Sequence, residues 1–388
     1  MKKKIGLAGL ASYDNLGDQL LLETCRYLIG KAADEISEYE PEVEIIDLQY
    51  PTKNAGASFF HILYRVSATL KADQRITDFF QFCEYRALYR RYFKKLLEKC
   101  DALIFAGGAY LKYKGEDFQY SIRVLLEIAD ALEIPVMMNA VGIEGYDEND
   151  CRCTRLKKAI NRKCVHIITT RDSESFLKEH FIYNRNITAA EVGDPALWAP
   201  EYLGLSNAEP KFEVGINVTY LSLFSTYKVA DDEVLIDIIT KLVEHFESSG
   251  ITYRFFCNGK QEDYNGAKEL CKKLDLPQET LLTKADTASV LVKQISCFKC
   301  IIPIRFHSCI IAYSLGRRSA GFLWNHKYDC FLKKTDMNRW FQDVNSLNCT
   351  LLFDSVQEAM NDFGLPSALE TEKNNTYKYI EKFVRDYV

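Results

Sequence analysis

Residues 300–323 read CIIPIRFHSCIIAYSLGRRSAGFL. The apolar run CIIPI supplies a strand over Cys300–Pro303, and SCIIAYSLG repeats apolar residues at helical spacing before stopping on a glycine. Ser319–Leu323 returns to a strand-like run. Strand, helix and strand in so few residues mark the parallel βαβ construction of an α/β fold. Between the first strand and the helix stands Ile304-Arg305-Phe306-His307-Ser308. Residues two apart on an extended segment face one side, so Arg305 and His307 can present together. A guanidinium fork binds carboxylate or phosphate bidentately, and a neighbouring imidazole exchanges protons near neutrality. The competing reading has both side chains bonded to carbonyls at a buried helix start.

The same alternation extends in both directions. Upstream in the same half, strands are expected at Val214–Val218, Thr252–Cys257 and a weak run near 281, with a helix over Asp231–Ser248 that ends at Gly250. Toward the N-terminus the expected strands are Lys4–Leu10, Val43–Leu48, Ala102–Ala106, Val136–Ala140 and Ile167–Thr170, and a helix starts at about Asp18. Pro195, Pro200 and Pro210 punctuate a stretch where periodicity fades, which places a junction at 196–211. At 388 residues the chain is long enough for two cores. The expected division is an N-terminal α/β lobe over 1–200, a C-terminal α/β lobe over 211–350, and helices over 351–388 that pack back toward the first lobe.

Forty-nine basic against 54 acidic residues give a formal net charge of -5, so the overall field does not favour nucleic acid or anionic lipid, although a local basic pocket remains open. The stretch Ser58–Lys99 is rich in Phe, Tyr, Arg and Lys and reads as one or two helices, or as containing a mobile substrate loop. No run offers the ~18–20 apolar residues that would cross a bilayer. The apolar start MKKKIGLAGLASYDNLGD is interrupted too early for a signal peptide. Thirteen scattered cysteines, odd in number, read as reduced core thiols. Cys297 and Cys300 form a CxxC and Cys151 and Cys153 a CxC, neither with a second half at zinc spacing, so no metal is expected.

Four further turns follow strand ends, where open α/β sheets bind ligands. Asp14-Asn15-Leu16-Gly17-Asp18 precedes a helix whose N–H groups could hold an anion; alternatively Asp18 merely caps that helix. Gly107-Gly108 lets a ligand approach the backbone, or simply satisfies a tight turn. Asn139 ends another strand beside Gly142. Arg171 opens a turn in which Asp172 or Ser173 can cap a helix, and it reads as a pocket cation or as a partner of Asp194. Downstream, Trp324, Asn325 and Lys327 offer stacking, amide and basic groups, with Trp324 open to a plain core role and Lys327 to solvent.

Taken in order, NLGD, ALIFAGG, PVMMNAVGIEG, TTRDSES with VGDPALW, and IPIRFHSCIIAYSLGRRSAGFLWNHKYDCFL resemble the polysaccharide pyruvyl transferase family over about residues 1–345. The resemblance implies two Rossmann-like lobes similar to the glycosyltransferase type B architecture. It implies phosphoenolpyruvate as donor, a glycan or lipid-linked sugar as acceptor, and no cofactor. It implies donor-binding and acid roles for Arg305 and His307, with Asp14, Asn15, Gly17, Asp18, Gly107 and Gly108 on the N-terminal, acceptor side; Asn139, at its strand end, is a further substrate-binding candidate. Members often carry an arginine just after the first strand of the second lobe; this chain has Asn217 there, which is itself expected among the substrate-binding residues. Arg254 and Lys327 are the leading substitutes for that cation. The alternatives are a nucleotide-sugar glycosyltransferase with its diphosphate at Phe306–Ile310, or a catalytically silent glycan-binding relative. The expected setting is cytoplasmic, with at most peripheral contact at the inner face of a membrane.

Overall fold

A parallel strand cannot reach its neighbour without a crossover, so each strand–helix pair in the sequence commits the chain to a wound sheet. The computed structural model describes residues 3–12, 14–36, 41–49, 59–115, 117–205, 209–325, 328–362 and 364–388, and the winding occurs twice. One compact unit comprises Met1–Tyr13, Leu21–Pro195 and Lys373–Val388; the other comprises Asp14–Leu20 and Ala196–Glu372.

The first unit holds β1 (Lys4–Gly9), β2 (Glu42–Asp47), β3 (Ala102–Phe105), β4 (Gly108–Leu111), β5 (Val136–Ile143), β6 (Val165–Thr170) and β7 (Thr188–Glu191). They lie in the order β2-β1-β3-β5-β6-β7, all parallel, with β4 added to the end of β5. Helices α1 (Leu16–Ile36), α2 (Phe59–Thr69), α3 (Gln74–Leu97), α4 (Phe118–Ala131) and α5 (Cys151–Ile160) alternate with the early strands. Phe93 and Leu97 of α3 and Ile122 and Leu125 of α4 bury their side chains in one core with Leu103 and Phe105 of β3 and Met138 of β5. This is why the central strands read as unbroken apolar runs rather than alternating ones. The short β4 and β7 escape the sequence reading because Gly-Ala-Tyr-Leu and Thr-Ala-Ala-Glu carry little β-branched signal.

In the second unit β8 (Phe212–Asn217), β9 (Tyr253–Phe256), β10 (Phe298–Ile302) and β11 (Arg318–Ser319) form a parallel sheet in the order β11-β10-β8-β9. The expected strand Ser319–Leu323 is split. Ser319 stays in register with Ile301, and the chain then leaves to form β12 (Gly321–Leu323), which pairs with β13 (Phe341–Asp343). The weak run near 281 is a single bridge between Leu281 and Phe255. The helix Asp232–Ser249 is capped by Gly250 in the left-handed conformation, as expected.

Two segments fall differently from the sequence expectation. Asp14–Leu20 groups with the second unit rather than the first. The stretch 351–372 also stays with the second unit, where Leu352 and Val356 of the helix Cys349–Asn361 are buried. Only Lys373–Val388, from the helix Ser367–Tyr387, joins the first unit. There the Thr376 hydroxyl donates to the Gly193 carbonyl at 2.6 Å, and the Tyr387 ring stacks on His166 at 4.5 Å. Among the described residues no helix is long and apolar enough to cross a membrane.

Candidate functional site

A wound sheet starts at an inner strand and adds neighbours on both sides, so loops at the carboxyl ends diverge where the order reverses. In the second unit that point lies between β8 and β10, because β9 flanks β8 on one side and β10 on the other. The loops meeting there begin at Asn217 and at Pro303.

Asn217 is fully buried and ties these loops together. Its Oδ1 accepts the backbone N–H groups of Arg305 at 2.7 Å and Ile304 at 3.2 Å. Its Nδ2 donates to the Phe256 carbonyl at 3.3 Å and to Asn258 Oδ1 at 3.0 Å. All the usual bonding positions of the amide are thereby used. The expectation that Asn217 contacts a ligand is corrected: it is a strut that fixes the turn carrying Arg305. Asn258 Oδ1 also accepts the Ser308 hydroxyl at 2.6 Å, while Asn258 Nδ2 is buried without a hydrogen-bond partner among the described residues.

Arg305 projects from this strut into a bidentate pair. Its Nη2 meets Asp263 Oδ1 at 2.6 Å and its Nε meets Oδ2 at 3.0 Å. Asp263 is fully buried in the first turn of the helix Gln261–Lys273, and it also accepts from Thr219 Oγ1 at 2.7 Å and from the Tyr220 N–H at 3.3 Å. Burial pulls the guanidinium's pKa down, but the hydrogen bonds and charge of Asp263 outweigh it and hold the pKa above its ordinary value. The guanidinium lies 5.7 Å from the Tyr220 ring centre, the Arg305 side chain as a whole is 16% exposed, and Nη1 makes no hydrogen bond among the described residues. A guanidinium nitrogen with no internal partner has the chemistry to receive a carboxylate or phosphate oxygen.

His307 occupies the second position of the helix Phe306–Ser314 and is buried. A Cβ added at Gly17 would lie 2.4 Å from His307 Nδ1 and 2.5 Å from its Cγ. Gly17 therefore makes room for the imidazole. The Leu16 N–H donates to the Asn258 carbonyl at 3.1 Å, which anchors the start of α1 on the same strand end. The helix begins at Leu16 because Asn15 supplies the cap: its Oδ1 accepts from the Gly17 N–H at 3.3 Å, and its Nδ2 donates to Asp18 at 2.7 Å. Asp18 thus lies inside the first turn rather than at the cap, and Asp14 is exposed just before it. Gly17→Ala is expected to lower activity and destabilise the second unit by about 1–3 kcal/mol through overpacking. Alanine otherwise favours a helix by up to ~1 kcal/mol over glycine. A melting temperature that rises would refute the contact, and the His307 ring resonances report it directly.

The other expected site residues divide. Trp324 Nε1 donates to the Ile304 carbonyl at 3.1 Å and its ring meets Tyr227 edge-on at 5.4 Å, so it braces the Arg305 turn. Asn325 follows it, half-buried, and Lys327 lies outside the described residues. Arg254 is corrected as a donor-binding cation. It sits beside Gly215 near the start of β9, over the Phe212 ring at 4.4 Å, with its Nη1 on the Tyr253 carbonyl at 2.7 Å. Phe212 opens β8, so Arg254 serves the amino end of the sheet. A lysine unremarked in the sequence does reach the carboxyl end: Lys284 Nζ donates to the Gly259 carbonyl at 3.2 Å. Cys300 is buried in mid-β10, its thiol pushed up to about 12 by burial, which suits a core residue.

In the first unit Gly107 and Gly108 follow β3 with φ of 115° and 131°, a region that side chains disfavour. A Cβ on Gly107 would lie 3.5 Å from the Asn139 carbonyl, so this turn and Asn139 are adjacent. Asn139 is fully buried and its Oδ1 accepts the Thr169 hydroxyl at 3.3 Å; the structure gives it a core position rather than a surface for ligand. Arg171 is paired with Asp194, the structural alternative of the two readings.

Residues 15–326, well over half of the chain, match the family model described as polysaccharide pyruvyl transferase. The chain belongs to the polysaccharide pyruvyl transferase family. It is accordingly a transferase. No curated protein is detectably similar in sequence. Among solved structures, UDP-GlcNAc 2-epimerase from Neisseria meningitidis bound to UDP-GlcNAc aligns at a TM-score of 0.59 with 10% identity, covering 99% of this chain and 100% of that one. The UDP-GlcNAc 2-epimerase of Methanocaldococcus jannaschii aligns at 0.58 with 12% identity and 99% of each chain. The spinosyn rhamnosyltransferase SpnG aligns at 0.50 with 10% identity and 99% of each. At such identities these likenesses establish the fold, which is of the glycosyltransferase type B kind.

In this pyruvyl transferase family member the structure brings Arg305, His307 and the Asp14–Asp18 turn, all singled out in the sequence, to one strand end, and adds Asp263 and Asn258, which the sequence did not single out. Asp263 sits in a helix-opening QED and Asn258 in a turn-like Asn-Gly, patterns that common turns and caps share. One signal was available: a buried arginine needs a carboxylate, and Asp263 follows the strand that ends at Phe256.

Proposed function

We propose that this transferase moves the pyruvyl group of phosphoenolpyruvate onto two hydroxyls of a glycan or lipid-linked sugar. The observation that carries the reading is the placement of Arg305 and His307 on one rigid turn at the switch point, with the free edge of the guanidinium beside a helix N-terminus. Arg305 binds the donor's carboxylate or phosphate through Nη1. His307 delivers a proton to the enol methylene, which becomes the methyl group. One sugar hydroxyl adds to the adjacent carbon, the C–O bond to phosphate breaks, and the second hydroxyl closes the ketal. Of the two hydroxyl protons lost, one replaces the proton given by His307 and the other leaves with phosphate.

Arg305 alone does not balance the donor's charge, since Asp263 already opposes it. Lys284 and the N–H groups opening the helix Phe306–Ser314 supplement it at the same end of the sheet. Incubation with phosphoenolpyruvate and a panel of lipid-linked sugars, read by mass spectrometry, should yield the pyruvyl mass increment. His307→Asn should reduce kcat by about 10²–10⁴, the range for positioned proton transfer. No increment with phosphoenolpyruvate, together with thermal stabilisation by UDP or GDP, would replace this reading with a nucleotide-sugar glycosyltransferase. That alternative draws on the same helix N-terminus, which suits a diphosphate.

A further inference from the structure

Helices α2 and α3 carry an apolar surface to which none of the site residues described above belongs. The side of α2 toward α3 is held by His61 Nδ1 against Glu84 at 2.7 Å and contains the buried Ser67. Its outer stripe is apolar: Phe59, Ile62 and Val66, continued by Leu70 just past the helix end and spaced by three and four residues, are all exposed, Phe59 by 70% and Leu70 by 74%. Ile76 and Phe79 in the opening turns of α3 are about half exposed and one turn apart. Single exposed apolar side chains are ordinary, whereas a contiguous stripe marks an interaction surface.

Charge identifies the occupant. The exposed cations Arg65, Lys71 and Arg75 lie among these residues in sequence. Residues 59–99 carry nine Lys and Arg against four Asp and Glu, a local +5 in a chain whose net charge is -5. An apolar stripe attended by basic residues is the composition of a membrane-surface element. We propose that the α2–α3 face seats this protein on an anionic lipid bilayer, with the apolar stripe entering the headgroup boundary and the cations meeting lipid phosphates. A second copy of the chain would bring one basic surface against another, which disfavours self-association through this face. The inference does not depend on which donor the transferase uses.

Flotation of the whole protein with phosphatidylcholine vesicles, with and without phosphatidylglycerol, tests it. Binding should require the anionic lipid and weaken with salt. The triple variant Phe59→Ser, Ile62→Ser, Leu70→Ser should weaken partitioning at least about tenfold. Arg65→Glu, Lys71→Glu, Arg75→Glu should weaken it on the order of a hundredfold, since each basic residue near the surface is worth about fivefold. Both variants replace exposed side chains, so their thermal melts should match the parent. No binding to anionic vesicles, or binding that neither variant changes, overturns the proposal. So does a dimer in analytical ultracentrifugation that the serine variant dissolves, which would assign the face to self-association.

Discussion

Replacing Asn217 by leucine is expected to collapse the candidate site and to destabilise the second unit by about 2–6 kcal/mol. The arithmetic follows from what the amide leaves behind. The N–H groups of Ile304 and Arg305 lose their shared acceptor at Asn217 Oδ1. Each buried donor left unsatisfied costs about 1–3 kcal/mol. The Phe256 carbonyl and Asn258 Oδ1 suffer less, because they keep the Val218 N–H and the Ser308 hydroxyl. Leucine adds apolar burial at a site of similar volume, which offsets part of the loss. In a unit of this size the net change corresponds to a fall in melting temperature of roughly 5–20 °C. Hydrogen exchange across residues 300–310 localises the effect, since the Ile304 and Arg305 amides should lose protection. Unchanged exchange there would mean that Asn217 does not hold the turn. Asn217→Asp keeps an acceptor for those amides but turns an oxygen toward Phe256 O and Asn258 Oδ1, so it should also fail.

This role of Asn217 shows where sequence reading stops. A strand buried on both faces announces itself by an apolar run, and Phe298–Ile302 and Ala102–Phe105 were legible for that reason. The Arg305 and His307 turn was legible because charged groups directly after such a run need an explanation. The residues around it were not, because their function lies in contacts across 40 to 90 positions. Asn217 reaches Arg305 across 88 residues and Arg305 reaches Asp263 across 42, and local periodicity carries no trace of either pairing. The position of Asn217 at the end of β8 invited comparison with a family arginine, yet its burial leaves no room for a charged side chain without a partner. Arg254 illustrates the converse. Its charge was visible, but only the direction in which the strand runs decides which end of the sheet receives it.

The Arg305–Asp263 pair yields the sharpest division between a binding role and a purely structural one. Arg305→Ala leaves the Asp263 carboxylate fully buried with only the Thr219 hydroxyl and the Tyr220 N–H, and such a loss costs about 3–5 kcal/mol. Stability alone cannot tell the two roles apart, because either would predict that fall. Asp263→Asn can. It removes the opposing charge while keeping an oxygen for Arg305 and Thr219, and the Arg305 side chain keeps its partial exposure. If Arg305 receives the donor's anionic group, a unit negative charge a few ångströms from that group has been deleted, and phosphoenolpyruvate should bind on the order of tenfold more tightly. The added affinity should shrink with salt, and kcat should fall, because the bidentate fork no longer fixes the guanidinium's direction. Isothermal titration of the parent and variant with phosphoenolpyruvate measures this at once. A donor Kd that is unchanged while the melting temperature drops would show that Arg305 serves Asp263 alone. Replacing both residues by leucine closes the cycle: a stability near the parent's, with donor binding abolished, would show that the pair is retained for the ligand rather than for the fold.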